Sequence, residues 1–163
     1  MSQFRIGHGY DAHRLTPRRK LILGGLEIEH PLGLDGHSDA DVLTHAVMDA
    51  LLGALALGDI GTHFPPGDPA FKDASSLKLL ARVSQMICEH GYRLNNLDAT
   101  VIAQEPKLVG YIPKIRENLA VALQAPIDKL SVKATTEEGM GFTGAGQGIA
   151  AHCVVLLESH STI

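Results

Sequence analysis

One stretch constrains the fold more than any other. Val42, Leu43, Ala46, Val47, Ala50, Leu51, Ala54 and Leu55 recur at helical spacing and form an apolar face too wide for a helix lying half in water. Such a helix must be covered by a second layer, a sheet or other helices. The pattern predicts a helix over 39–57. Ser38 is its expected N-cap, and Asp41 sits at the third helical position, as in a capping box with Asp in place of Glu. Gly58-Asp59-Ile60-Gly61 ends it.

The segments around this helix supply the layer. Phe4 to Tyr10 reads as a strand whose Gly7 and Gly9 permit close approach of a ligand or another backbone. Leu21–Leu23 and Leu26–Ile28 flank Gly24-Gly25 as a hairpin. The basic loop Thr16–Lys20 between them reads as a solvated segment. A second helix is predicted over 75–90, with Leu77, Leu80, Val83 and Ile87 on one side and Gly91 as its stop. Residues 94–104 alternate as a strand. Pro113 opens a third helix carrying Ile115, Leu119 and Leu123, and Pro126 closes it. Residues 130–134 and 148–157 read as two further strands. This order predicts an α+β fold, a mixed β-sheet with helices packed on one face. At 163 residues, 45% of them hydrophobic and none Trp, the chain is expected to form a single domain over 1–163 around an aliphatic core.

Charge and apolar runs exclude several partners. A net charge of -4 and a pI near 6.1 argue against nucleic acid. No apolar run approaches the roughly twenty residues of a membrane span. The first strand begins within a few residues of Met1, leaving no room for a targeting segment, so a soluble cytoplasmic protein is expected. Cys88 in a helical pattern and Cys153 in a strand-like one are expected as buried, reduced thiols.

Three clusters bear chemistry. Asp11 and His13, two apart at a strand end, point to one side, and with His45 they make a candidate three-ligand metal site. His45 is alternatively a buried imidazole satisfied by Asp41 or Asp49, and either carboxylate would also orient it as a metal ligand. His37-Ser38 reads equally as a helix cap beside a surface histidine or as a phosphate cradle at a helix start. Lys133–Glu138 is a polar turn or a site for phosphate and a hard cation. Gly144–Gly148 has the wrong spacing for a dinucleotide fingerprint and reads as a turn. Ser38 lacks the flanking glycines of a nucleophile elbow.

Longer blocks carry a resemblance. Arg5-Ile-Gly-His-Gly-Tyr-Asp-Ala-His13, Gly36-His-Ser-Asp-Ala-Asp41, His45 and Leu51–Gly61 are similar to the 2-C-methyl-D-erythritol 2,4-cyclodiphosphate synthase family. So are Asp68–Phe71, Ile102–Lys107, Val132–Thr136 and Gly141–Gly144, in the family's order. The resemblance implies a phosphorus–oxygen lyase of the non-mevalonate isoprenoid pathway. Its substrate would be 4-diphosphocytidyl-2-C-methyl-D-erythritol 2-phosphate, and its products the cyclic diphosphate and CMP. It implies a homotrimer with active sites between subunits.

Residue by residue, the resemblance makes Asp11, His13 and His45 zinc ligands and Glu138 the ligand of Mg²⁺ or Mn²⁺. His37 and Thr136 are the implied catalytic residues, and Ser38 joins them on phosphate. Asp59 and Gly61 are implied at the methylerythritol part, with Ile60, Phe64 and Asp68 also implied at substrate. Ala103, Pro106, Lys107, Leu108, Ala134 and Thr135 are implied at the cytidine diphosphate, with Phe142 also at substrate. Three positions depart from the family pattern. Ala145 and His152 stand where an Arg and a Glu commonly line a cavity on the trimer axis, and Pro66 stands where an acidic residue is common. From another class, a zinc-dependent phosphohydrolase acting on a nucleotide-linked substrate would need the same metal but a water nucleophile.

Overall fold

Two glycines set the distance between the layers. In the computed structural model, which describes residues 3–160, β1 (Phe4–Thr16) runs directly beneath α1 (Val42–Ala54). A methyl group on Gly9 would stand 1.9 Å from the Ala46 carbonyl oxygen, and one on Gly7 would stand 1.9 Å from that of Ala50. Strand and helix therefore meet backbone to backbone. The broad apolar face of α1 is buried against the sheet and its neighbouring helices.

β1 is longer than its sequence pattern predicts, because it pairs with β7 (Gly148–Ser159) from Phe4↔Glu158 to Arg14↔Gly148. The hairpin forms as expected from β2 (Leu21–Leu23) and β3 (Leu26–Ile28). Gly24 and Gly25, at φ 56° and 68°, supply the two left-handed residues of its turn. A short β4 (Gly33–Leu34) follows. After α1 come a four-residue α2 (Ile60–His63), then α3 (Ser76–Glu89), β5 (Tyr92–Ile102), α4 (Ile112–Leu123) and β6 (Leu130–Thr135). A four-residue α5 (Gly141–Gly144) precedes β7. The five-stranded sheet has the order β4-β1-β7-β5-β6. Only β5 and β6 pair in parallel, joined by the α4 crossover.

Alternation along the strands identifies the covered face. Gly7 and Gly9 on β1, and Cys153, Val155 and Leu157 on β7, are buried toward the helices. Ile6, Tyr10 and Val154 point the other way and are 72%, 47% and 42% exposed, so the second face is bare in the single chain. The mixed α+β sheet with helices on one face is as expected.

Two details differ from the sequence reading. The helix begins at Val42, not Asp39, and its cap is Asp41. This fully buried carboxylate accepts four hydrogen bonds: from the amides of Gly24 (3.0 Å), Gly25 (2.7 Å) and Thr44 (3.0 Å), and from the Thr44 hydroxyl (2.7 Å). Ser38 caps only the turn before it, accepting from the Ala40 amide, and Ala40 at φ 56° interrupts any earlier helical start. Cys88 and Cys153 are both free thiols, but only Cys153 is buried. Cys88 falls one position past Ile87, off the buried stripe of Leu80, Val83 and Ile87. Among the described residues no helix is long and apolar enough to cross a membrane.

Candidate metal and phosphate site

Asp11 and His13 lie within β1, two residues apart, on the helix-facing side where the glycines end. His45 comes down from α1, one residue before the carbonyl that packs on Gly9. The His13 Nε2 is 2.8 Å from Asp11 Oδ2, the His45 Nδ1 is 3.0 Å from the same oxygen, and the two imidazole nitrogens are 3.3 Å apart. Ligands about 2.0–2.2 Å from one ion subtend edges of this size. One carboxylate and two imidazoles fit a divalent metal, and among the described residues this is the one group of three such side chains within ligand reach.

The electrostatics agree. Burial alone would raise the Asp11 carboxyl, but hydrogen bonds and charge from His13 and His45 outweigh it and hold the pKa well below the carboxylate range. Burial likewise pulls His13 down, and the hydrogen bond and charge of Asp11 raise it above 6.5. The site therefore presents an ionised carboxylate and an imidazole whose proton a metal must displace.

The outward nitrogens are held as well. His13 Nδ1 lies 2.7 Å from the Asp35 carbonyl, so it carries the proton and leaves Nε2 free as the ligand atom. His45 Nε2 lies 2.9 Å from the Ser76 hydroxyl and 3.2 Å from that of Ser38. Ser76 is fully buried and donates to Asp39 Oδ1 at 2.5 Å. The chain Asp39–Ser76–His45 thus keeps a proton on Nε2 and aims the Nδ1 lone pair at the ion. The partner expected for His45 was Asp41 or Asp49, and neither touches it. Asp41 is committed to the helix cap and hairpin, and Asp49 accepts from the Ile60 amide at 2.8 Å. No local spacing signals Ser76, which lies 31 residues from His45.

Asp11, His13 and His45 open onto a cavity of about 230 Å³ shared with His37, Ser38, Ile60, Gly61 and Phe64. Met48, Pro66, Phe71 and Leu79 complete its wall. Pro66 and Phe71 fall in stretches that the sequence singles out, whereas Met48, three positions beyond His45 on α1, and Leu79 were missed. The α1 N-terminus is not an anion site, because the Asp41 carboxylate already occupies it. Any phosphate here must be held by side chains.

A separate cavity of about 580 Å³ is lined by Ala103, Pro106, Lys107, Leu108, Ala134, Thr135 and Thr136, where β5 and β6 end. Gln104, Val109, Ile112 and Pro113 add to it. Asp59, Asp68, Glu138 and Phe142 line neither cavity. Asp59 and Asp68 cap short helical turns, through Thr62 and Ala70. Glu138 pairs locally with the Thr136 hydroxyl, and Phe142 packs over the start of β7 beside Gly148. The Asp11–His13–His45 group and this second cavity lie at the same end of the sheet, on strands two to three spacings apart, roughly 10–14 Å.

Comparison with known proteins agrees with this geometry. Residues 4–158 match the YgbB family. The 2-C-methyl-D-erythritol 2,4-cyclodiphosphate synthase of Trichlorobacter lovleyi is 63% identical over 94% of this chain and 98% of its own length. Among solved structures, a Plasmodium falciparum IspF–CDP complex superposes with a TM-score of 0.87 at 32% identity, covering 99% of both chains. The bifunctional IspDF of Campylobacter jejuni superposes with a TM-score of 0.93 at 40% identity over 97% of this chain, which corresponds to 43% of that longer protein. With its matched fold, its full-length relatives and its Asp–His–His triangle, the chain belongs to the YgbB family, that of the 2-C-methyl-D-erythritol 2,4-cyclodiphosphate synthases.

Proposed function

We propose that the chain is a cyclising phosphorus–oxygen lyase of the non-mevalonate isoprenoid pathway. It converts 4-diphosphocytidyl-2-C-methyl-D-erythritol 2-phosphate to the 2,4-cyclodiphosphate and releases CMP. The observation that carries this reading is the Asp11–His13–His45 triangle opening on the cavity that holds His37 and Ser38. The full-length curated relatives bear the name of this enzyme, and a structural neighbour holds CDP.

The chemistry follows from the residues present. An oxygen of the 2-phosphate bonds to the β-phosphorus, and the bond from that phosphorus to the bridging oxygen breaks, leaving on CMP. Both groups are anionic, so the work is orientation and charge neutralisation. Asp11, His13 and His45 would hold Zn²⁺ and Glu138 would hold Mg²⁺ or Mn²⁺, each supplying a Lewis acid for phosphate oxygens. His37 is exposed, and among the described residues only its backbone carbonyl is engaged, accepting from the Asp73 amide, so its imidazole is available to the transferring group. Ser38 supplies a hydroxyl beside it. Lys107 brings positive charge to the nucleotide side, where Ala103, Pro106, Leu108, Ala134 and Thr135 pack the cytidine.

His37 and Thr136 serve one transition state in this reading and must approach it together. Within one chain they belong to different cavities, His37 in the loop after β4 and Thr136 just past β6, the two edge strands of the sheet. The 230 Å³ metal cavity is also smaller than the ~300 Å³ at which ligand pockets usually begin. Both points support a homotrimer in which each site combines the metal half of one copy with the nucleotide half of another. We place this single-domain enzyme in the cytoplasm.

Phosphorus NMR of the product is the test. A cyclic diphosphate with stoichiometric CMP is expected, and turnover should vanish in His37→Ala with its zinc retained. Linear or inorganic phosphate as product would sink the cyclase reading in favour of a metal-dependent hydrolase.

A further inference from the structure

The loop between β4 and α1 carries Asp35, His37 and Ser38, and one arginine from another loop holds both of its ends. We propose that Arg19 is a positioning residue whose guanidinium clasps residues 35–38, keeping the metal-site residue His13 in one arrangement with His37 and Ser38. What His37 and Ser38 do once placed rests on the cyclase reading.

The placement starts at the sheet edge. β4 is an edge strand, and Leu34 lies opposite Leu15 on β1. The Leu15 amide donates to the Gln147 carbonyl instead, so this is a pair without mutual hydrogen bonds and the Leu34 carbonyl points to the outer edge. Leu34 is fully buried, so that carbonyl needs a donor from the protein. The Arg19 Nε supplies it at 3.0 Å, and the Arg19 Nη2 donates to the Ser38 carbonyl at 2.7 Å. One edge of a rigid plane thus spans both ends of the loop. Backbone packing brings the side chain there: a methyl group on Gly33 would stand 2.2 Å from the Arg19 carbonyl oxygen. The basic loop is solvated only in part, since Arg18 and Lys20 are exposed and Arg19 is half-buried.

The clasp reaches the site through the loop it holds. Residues 36–39 form neither helix nor strand, so their backbone groups depend on outside partners. The Asp73 amide donates to the His37 carbonyl at 3.2 Å, and the Asp39 amide donates to the Ala74 carbonyl at 3.3 Å. The bond from Arg19 to Ser38 is shorter and charge-assisted. Inside the loop, the Asp35 carbonyl accepts from His13 Nδ1 at 2.7 Å, and a methyl group on Gly36 would stand 3.2 Å from His13 Cε1. The Ser38 hydroxyl lies 3.2 Å from His45 Nε2. A loop released at its ends therefore disturbs the support of His13 and displaces His37 and Ser38 together. An arginine that only stabilised a turn would change the melting temperature and leave the metal affinity and kinetics of the folded protein alone.

Arg19→Lys keeps the charge and Arg19→Gln keeps a donor, but neither spans two carbonyls. In both variants, shown folded by circular dichroism, Zn²⁺ affinity of the whole protein by chelator competition should fall about tenfold. Their kcat should fall roughly tenfold or more through misplacement of His37 and Ser38. KM should stay within about a factor of two, because the residues read as holding the nucleotide line the other cavity. Arg18→Ala, at the exposed neighbour, should match the wild type in all three. The proposal is overturned if either Arg19 variant keeps wild-type Zn²⁺ affinity or kcat, if the loss falls on KM instead, or if Arg18→Ala loses as much. A wild type that yields linear phosphate refutes the cyclase reading and leaves the Zn²⁺ result standing, whereas a cyclising wild type with unaffected Arg19 variants refutes the clasp alone.

Discussion

Gly9→Ala should separate the two halves of the metal site without touching a ligand. The added methyl would lie 1.9 Å from the Ala46 carbonyl oxygen and 2.7 Å from the Ala50 amide nitrogen, both helix backbone that no rotamer change relieves. Restoring the 3.4 Å of ordinary contact requires α1 to retreat from β1 by about 1.5 Å. His45 precedes Ala46 and moves with it, while His13 stays with the strand. Two ligands of one ion stand at most about 4.2 Å apart, twice the bond length, and such a retreat takes the His13–His45 edge from 3.3 Å to that limit or past it.

The overpacking should cost about 3 kcal/mol, or roughly 6–12 °C in Tm for a chain of this length. Gly53→Ala is the control on the same helix: it is solvent-facing, its nearest neighbour to a new methyl is 3.9 Å away, and it should raise stability by up to ~1 kcal/mol. Metal content by mass spectrometry and thermal unfolding by circular dichroism measure both effects. A Gly9→Ala protein with wild-type metal content and wild-type Tm would refute the claim that backbone contact between β1 and α1 sets the site.

Three further outcomes follow from the same geometry. Ser76→Ala removes the hydroxyl that fixes the His45 tautomer, and zinc affinity measured by chelator competition should fall roughly 10–100-fold, with Ser76→Thr restoring it; equal affinity in Ala and wild type would end the relay argument. Burial lowers His13 but Asp11 outweighs it and raises the pKa, so the metal-free site holds its proton more tightly than a free imidazole does. Zinc must expel that proton, so affinity should fall as pH drops through the raised pKa and level off above it; a flat profile between about pH 5 and 8 would contradict this. Asp41→Asn replaces one of the two accepting oxygens by an N–H₂ that faces either the Gly24 and Thr44 amides or the Gly25 amide and Thr44 hydroxyl, and urea unfolding should show a loss of about 2–3 kcal/mol, against about 1 for Thr44→Ala.

Legibility in the sequence followed the range of the forces involved. The helices of residues 76–89 and 112–123 are set by local periodicity and by Gly91 and Pro113, and they form within a residue or two of where the pattern puts them. The β1 extension through Thr16 was not legible, because Tyr10–Thr16 shows no apolar alternation. It is a strand because β7 pairs with it, a contact more than a hundred residues away along the chain. The cap of α1 was misjudged for a related reason. Ser38 suits a cap locally, but Asp41 wins by binding the hairpin turn as well.

For the site, residue type alone nominated Asp11, His13 and His45, since carboxylate and imidazole are what a borderline divalent ion requires. Their meeting depended on two glycines thin enough to let a helix sit on a strand. Sequence therefore determined the elements and the donor chemistry, which are properties of neighbours in the chain. Only the tertiary structure decided the 2.8–3.3 Å triangle, the Asp39–Ser76 support behind His45 and the separation of the two cavities. Those are distances between segments, set by layer packing, and no run of adjacent residues encodes them.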